Sequence, residues 1–155
     1  MSSPLVELRG IHFAYDARRP VLANLNLSIG TGDRIGITGA NGGGKSTLLQ
    51  LIVGLVKPTA GEVICFGRPR NREPDFIDVR RRAGLLFQDS DDQLFCPTVV
   101  EDIAFGPLNL GKSRDDAAHI VQNTLDAVGL PGYEERITYK LSGGEKRLVA
   151  LATVL

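Results

Sequence analysis

The glycine-rich stretch at residues 39–47 constrains the fold more than any other part of this sequence. Its residues are Gly39, Ala40, Asn41, Gly42, Gly43, Gly44, Lys45, Ser46 and Thr47. Four residues lie between the first glycine and the Gly-Lys-Ser that follows, which is the spacing of a loop that binds phosphate groups. Residues 34–38 before the loop predict a short apolar strand. Residues 48–53 after it predict a helix that ends near Gly54.

Such a loop can bind a polyphosphate because its glycines let successive backbone N–H groups point inward. The helix that follows adds free N–H groups and the positive end of its dipole. Lys45 is expected to reach the β and γ phosphates, and the Ser46 hydroxyl to bind Mg²⁺. A plain glycine-rich turn between a strand and a helix is the alternative. The strand and helix patterns on either side favour nucleotide binding.

Length, composition and charge limit the classes of protein to consider. The 155 residues, 43% of them hydrophobic, suffice for one domain at most with a true core. The 18 Lys and Arg residues balance the 18 Asp and Glu residues, which argues against a bulk electrostatic partner such as nucleic acid. Cys65 and Cys96 lack metal-ligand spacing and are interpreted as reduced cysteines of a cytosolic protein. The first residues do not resemble a signal peptide, and no apolar run reaches membrane-spanning length.

Strand and helix patterns around the loop predict an α/β domain. Strands are predicted at residues 5–15, 22–29, 62–66 and 85–87, and short helices at 75–82 and 98–105. Ser113 is predicted to cap a longer helix that ends at Gly129. The apolar face of that helix is predicted to consist of Ala117, Ala118, Val121, Leu125 and Val128. A final helix is predicted after Glu145.

Residues 141–145 form a second informative motif. Ser142 offers a hydroxyl, and Gly143 and Gly144 offer unobstructed N–H groups at the start of a helix. On its own the motif indicates no more than a loop and a helix cap. Together with the phosphate loop, it suggests one nucleotide held between two copies of the domain.

The order of these motifs resembles the ATP-binding cassette (ABC) family over nearly the whole chain. Residues 141–145 match the family's signature motif, and residues 39–46 match its phosphate loop. Gln88, after the strand at 85–87, is similar to the family's glutamine loop. The resemblance implies that Gln88 takes part in catalysis by contacting Mg²⁺ and the γ-phosphate, and that Tyr15 stacks on the adenine of ATP.

Residues 87–107 resemble one subgroup of that family, the cobalt-type or energy-coupling-factor ATPases. The resemblance implies an ATPase subunit that drives uptake of transition-metal ions, such as cobalt or nickel, or of vitamins. Its expected partners are a second ATPase subunit, bound through residues 141–145, and an integral membrane subunit, bound through the Gln88 region. The expected location is the cytoplasmic face of the cell membrane.

The resemblance also implies an architecture. It predicts a phosphate-loop NTPase with a parallel core sheet, an antiparallel N-terminal β subdomain and a helical subdomain. Residues 1–155 would be its N-terminal portion, with the glutamine loop and the helical subdomain within about 75–140. In this fold, strands that follow the signature helix lie between the phosphate-loop strand and the strand that ends at Phe87. Without those intervening strands, the two flanking strands are expected to lose their ladder partners.

The sequence departs from the family after the signature. The strand with the catalytic Glu and the later switch His of the family have no counterpart here, and neither His12 nor His119 lies at the switch position. The apolar residues 148–155 predict that the chain stops inside a buried helix. We therefore expect a domain whose C-terminal part is missing and which hydrolyses ATP poorly or not at all on its own.

Less specific interpretations remain for several residues. Tyr15 could be a core aromatic at a strand end, and Gln88 an ordinary turn glutamine. Asp89, Asp91 and Asp92 could mimic a metal site, although a solvated loop is the better default. A basic set could indicate nucleic acid, although a solvated face or a partner contact is favoured. That set is Arg68, Arg70, Arg72, Arg80, Arg81 and Arg82.

A second function class also remains open. It is a non-transport ABC protein acting as a nucleotide-gated clamp on nucleic acid or ribosomes. Co-purification with a small integral membrane protein would favour transport, and salt-sensitive retention on nucleic acid would favour the clamp.

Overall fold

The structure, a computed structural model, describes residues 3–155. The chain folds as two compact units, Met1–Ala83 and Gly84–Leu155. Each unit has its own hydrophobic core. The two are therefore described separately.

An antiparallel sheet organises the first unit. Its four strands are β1 (Val6–Asp16), β2 (Arg19–Ile29), β3 (Ala60–Cys65) and β4 (Arg68–Pro69), in the order β2-β1-β3-β4. The polar residues of β2 alternate with Leu25, Leu27 and Ile29, which pack against the core. The antiparallel N-terminal sheet expected from the sequence is thus present.

Two helices cover the core of this unit. They are α1 (Lys45–Ile52), which follows the glycine-rich loop, and α2 (Glu73–Arg80). Leu51 of α1 and Phe76 of α2 are fully buried, together with Leu8, Ile11 and Val63 from the sheet. Gly54 ends α1 with a φ of 75°, and a Cβ there would overlap the Phe76 ring. Glycine therefore satisfies both the turn and the packing.

The parallel core sheet of the family is not formed by the described residues, as expected from the loss of its intervening strands. Every strand pairing in residues 3–155 is antiparallel, and residues 34–38 and 85–87 have no ladder partner. A strand is defined by hydrogen bonds to a neighbour, and apolar composition alone does not supply one. Ile35 and Leu86, which a covered sheet would bury, are each 46% exposed.

Three helices build the second unit. They are α3 (Val99–Asn109), α4 (Arg114–Ala127) and α5 (Gly143–Ala152), with 3₁₀ turns at Ser90–Asp92 and Thr138–Lys140. Ser113 caps α4 as predicted, because its Oγ accepts the N–H of Asp116 at 3.0 Å. The predicted apolar face of α4 is correct at Ala117, Val121 and Leu125, which are buried. Ala118 is exposed, so that part of the prediction was wrong.

The last helix ends earlier than the apolar run at 148–155 predicted. It stops at Ala152, where the N–H of Thr153 still donates to the Val149 oxygen at 3.1 Å. Val149 and Ala150 are buried, but Leu155 is 73% exposed and lies outside the helix. The burial expected for the whole run therefore holds only for its centre.

One member of the basic set was assigned to the wrong environment. Arg70 is buried rather than part of a solvated face. Its guanidinium donates to the Cys65 and Asp75 carbonyl oxygens and pairs with Asp78 at 2.8 Å. A buried guanidinium is stable here because its donors have acceptors.

Two further observations concern the chain as a whole. Cys65 and Cys96 are free thiols, as expected. Within residues 3–155, no helix combines the length and hydropathy needed to cross a membrane.

Candidate nucleotide-binding site

The loop before α1 has a backbone that requires glycine. Gly42 and Gly44 have φ values of 77° and 83°, and Gly39 has a φ of 149°. A Cβ at Gly44 would also lie 3.0 Å from side-chain atoms of Val21 and Leu22. The glycines thus let the loop curl tightly against β2 at the start of α1.

The start of α1 offers free donors. Gly44 is the N-cap residue of α1 and has no side chain that could accept a hydrogen bond from the first turn. Asn41, Gly42 and Gly43, just before it, are exposed. The first N–H groups of α1 have no partner within the helix, so they are available to an anion.

Two side chains add to these backbone donors. The Lys45 ammonium donates to the Gly39 and Ala40 oxygens at 2.9 and 2.8 Å, which places its charge over the loop. Ser46 is exposed on the first turn. The whole set has the donors and the positive potential that a polyphosphate requires.

Tyr15 lies beside this loop. It is 68% exposed near the end of β1, which excludes the alternative of a core aromatic. Its hydroxyl lies 3.2 Å from Thr47 Oγ1 and donates to Gln50 Oε1 at 3.5 Å, and its ring packs edge-to-face on Phe13. The structure therefore brings Tyr15 to the helix of the phosphate loop. Its stacking on adenine stays a prediction.

The signature motif opens α5 in the second unit. Ser142 is the N-cap residue, and Gly143 and Gly144 are exposed with open space where a Cβ would project. Glu145 completes a capping box, because its Oε2 accepts both the N–H and the Oγ–H of Ser142 at 2.7 Å. The surface is small and open, as the sequence predicted.

Hydrogen bonds hold the Glu145 carboxylate in its ionised form. Those from Ser142 contribute most to lowering its pKa to about 2, followed by one from the Tyr133 hydroxyl at 2.7 Å. The nearby Arg136 guanidinium adds a smaller effect in the same direction. The same bond to Glu145 raises the pKa of Tyr133. A fully ionised carboxylate thus lies next to the signature amides.

Gln88 lines an open groove of about 410 Å³ in the second unit. The other lining residues are Asp89, Ser90, Asp91, Leu141, Gly143, Lys146 and Arg147. Gln88 itself is exposed. The glutamine loop and the signature helix thus share one surface. Ser46 belongs to the first unit and Gln88 to the second, so their joint assignment to Mg²⁺ stays a prediction.

Hydrogen bonds tie the glutamine loop to α5. The Gln93 amide accepts the N–H of Phe87 at 3.1 Å and donates to the Ala150 oxygen at 2.7 Å. Lys146 pairs with Asp91 at 2.6 Å. Asp89 accepts the N–H of Asp91.

Asp89, Asp91 and Asp92 are exposed, as a solvated loop requires. Within residues 3–155, no three His, Cys, Asp or Glu side chains group in a way that could hold a metal ion.

Sequence reasoning missed several residues that shape this surface. The spacing of Ser142 and Glu145 is a capping-box signal and could have been read from the sequence. Tyr133, Gln93 and the Lys146–Asp91 pair carried no such signal. Tyr133 lies 12 residues from Glu145, Lys146 lies 55 from Asp91, and Gln93 lies 57 from Ala150, so these pairs come together only in the fold.

Comparison with known proteins agrees with this geometry. The sequence profile of the ABC transporter family matches residues 22–155. An energy-coupling factor transporter ATP-binding protein, EcfA of Methanothermobacter thermautotrophicus, is 45% identical over 152 residues, which are 97% of this chain and 49% of the relative. The chain spans about half the length of the curated relatives it matches, from 49% to 63% for the first three.

Solved structures show the same fold. CbiO1 of Clostridium perfringens, part of the ABC transporter complex CbiONQ, superimposes with a TM-score of 0.85 at 32% identity. The match covers 99% of this chain and 62% of that one. A dimeric ATP-binding cassette in a post-hydrolysis state, bound to ADP and phosphate, gives a TM-score of 0.85 at 28% identity. It covers 97% of this chain and 68% of that one.

The phosphate loop, the capped signature helix and these likenesses define a nucleotide-binding domain of the phosphate-loop class. Within that class, the chain belongs to the ABC transporter family. The family and the α/β fold predicted from the motifs are thereby confirmed, and relatives named as energy-coupling factor ATP-binding proteins agree with the predicted subgroup.

Proposed function

We propose that this chain is the ATP-binding, energy-coupling part of an ABC-type uptake transporter. The observation that carries the proposal is the loop at 39–47, whose exposed amides and Lys45 ammonium converge at the start of α1. The names of its relatives support coupling to transport. Transition-metal ions or vitamins are the proposed cargo, and the inner face of the cell membrane is the proposed location.

The residues at the start of α1 fit ATP and Mg²⁺. The loop amides and Lys45 bind the phosphate oxygens, and the exposed Ser46 hydroxyl is a hard oxygen ligand of the kind that Mg²⁺ prefers. When bound, Mg²⁺ neutralises phosphate charge. Tyr15 presents an exposed ring beside the loop, on which the adenine can stack.

A second copy completes the site in this proposal. The exposed Gly143 and Gly144 amides of one copy cover the γ-phosphate bound by the loop of the other. The dimeric state of one solved relative supports the pairing of two copies. Gln88 contacts Mg²⁺ and the γ-phosphate, and its groove receives the membrane subunit. We further propose that hydrolysis requires a general base beyond the residues assigned here, so residues 1–155 alone hydrolyse ATP poorly.

The experiment has two arms. Isothermal titration with ATP and Mg²⁺ tests nucleotide binding by the chain, with inorganic triphosphate as a second ligand. Purification of the tagged full-length gene product from membranes tests the partner. A small integral membrane protein in the eluate supports transport. Salt-sensitive retention on nucleic acid, without a membrane partner, would favour a nucleotide-gated clamp instead.

A further inference from the structure

We propose that Tyr133 is a positioning residue of the signature motif. Its hydroxyl holds the Glu145 carboxylate inside the capping box and away from the Gly143 and Gly144 amides. The inference rests on the proposed function, in which those amides face the γ-phosphate bound by a second copy. Tyr133 lies outside the phosphate loop, the glutamine loop and the signature motif.

The hydrogen bonds around Glu145 use both of its carboxylate oxygens. Oε2 accepts the N–H and the Oγ–H of Ser142, and Oε1 accepts the Tyr133 hydroxyl, all at 2.7 Å. Tyr133 is itself fixed, because its ring packs against the core of the second unit and the Arg136 guanidinium lies 4.8 Å from its centroid. The carboxylate is therefore held from both sides.

A carboxylate at this position needs such restraint. The start of α5 attracts anions through its free N–H groups and its dipole. Glu145 carries a negative charge on the first turn of α5, so it competes with a phosphate for the same potential. Loss of the Tyr133 hydroxyl leaves Oε1 without this donor, and the carboxylate can then turn towards the exposed amides.

The orientation of the Ser142 hydroxyl also depends on the Glu145 carboxylate. Its proton is donated to Glu145, so its orientation depends on where that carboxylate lies. Tyr133 thus acts on the anion site only through Glu145. Its effect must vanish when the charge of residue 145 is removed, which separates positioning from ordinary packing.

The test is a double-mutant cycle on ATP-driven dimerisation of the full-length gene product. Light scattering with a slowly hydrolysed ATP analogue gives the nucleotide concentration for half-maximal dimer. The variants are Tyr133→Phe, Glu145→Gln and the double variant. Glutamine retains an oxygen that accepts the Ser142 donors but has no charge. Tyr139→Phe is the matched control, because it removes the same hydroxyl from a tyrosine that is 72% exposed.

We expect Tyr133→Phe to raise the half-maximal concentration by roughly three- to tenfold, which is less than the full effect of a lost hydrogen bond to a charged group, because Tyr133 acts on the site only through Glu145. Glu145→Gln should need the same or less nucleotide than the wild type, and the double variant should match Glu145→Gln. Affinity of the monomer for ATP should not change in any variant. Tyr139→Phe should behave as the wild type.

Three results would overturn the inference. The first is an unchanged half-maximal concentration in Tyr133→Phe. The second is an equal loss with and without the Glu145 charge, which would show that Tyr133 only packs. The third is a higher requirement in Glu145→Gln, and this measurement remains decisive even if Tyr133→Phe does not fold. A wild-type protein that binds ATP but never dimerises would instead refute the two-copy site of the proposed function.

Discussion

Replacement of Lys45 by alanine is the perturbation that bears most directly on nucleotide binding. In the structure its ammonium already contacts two loop oxygens, those of Gly39 and Ala40, at 2.9 and 2.8 Å. It is therefore positioned over the loop before a ligand arrives, and little side-chain entropy remains to be lost on binding. A hydrogen bond to a charged group contributes about 1.5–3 kcal/mol, which corresponds to roughly 10- to 150-fold in affinity.

We expect Lys45→Ala to lower ATP affinity by at least tenfold, which is the lower end of this range. The ammonium must exchange its contacts with neutral carbonyl oxygens for contacts with phosphate, so only the difference appears in binding. The loop itself should survive, because its shape depends on Gly39, Gly42 and Gly44 and these are unchanged.

Isothermal titration with ATP and Mg²⁺ measures this loss. Lys57→Ala is the matched control, because Lys57 is an exposed lysine in the same unit. Thermal unfolding of both variants checks that the fold is retained. Equal affinity of wild type and Lys45→Ala would show that the loop does not bind the phosphates as described.

Four further outcomes are expected. Ser142→Arg should leave folding and monomer ATP binding intact but block ATP-driven dimerisation; a normal dimer by light scattering would refute this. Gly54→Ala should destabilise the first unit by about 2–4 kcal/mol in urea unfolding, because a Cβ would overlap Phe76 at a positive φ. Its control is Gly67→Ala, at a φ of 73° but in open space, which should lower stability by only about 1 kcal/mol. The pKa of Glu145 is depressed from 4.5 to about 2, so the stability it contributes is present above pH 4.5 and is lost as pH falls towards 2. Acid unfolding of Glu145→Gln should lack that component. The 155-residue chain should self-associate, or it should have a lower melting temperature than a typical mesophilic domain. The reason is that Ile35 and Leu86 are exposed on segments that have no ladder partner within the described residues. A monomeric, cooperative transition at roughly 45–65 °C would contradict this.

The elements that the sequence predicted well are those with local causes. The positive φ values at Gly42 and Gly44, the Ser113 cap and the Ser142 N-cap depend on residues within three or four positions. Local chemistry of this kind is visible in a sequence pattern. The two phosphate-type motifs were therefore correctly placed at helix starts.

The apolar runs at 34–38 and 85–87 were expected to lose their ladder partners, and neither pairs with a neighbour within the described residues. The errors came from interactions between distant residues. Arg70 was assigned to a solvated face because nothing in its local sequence shows that Cys65, Asp75 and Asp78 enclose it. The Tyr133–Glu145 bond is of the same kind, since no spacing rule connects a loop tyrosine to a helix cap 12 residues later.

The central claim is that one ATP is held between the phosphate loop of one copy and the signature motif of another. The most direct measurement mixes two full-length variants, Lys45→Ala and Ser142→Arg, and follows ATP-dependent dimerisation by light scattering. At an ATP concentration just sufficient to dimerise the wild type, each variant alone should remain monomeric. A mixed pair unites the intact Lys45 of one copy with the intact Ser142 of the other. Because one of its two composite sites is then intact, an equimolar mixture should regain up to about half of the composite sites. A mixture as inactive as its components, or dimerisation by either variant alone, would contradict the account.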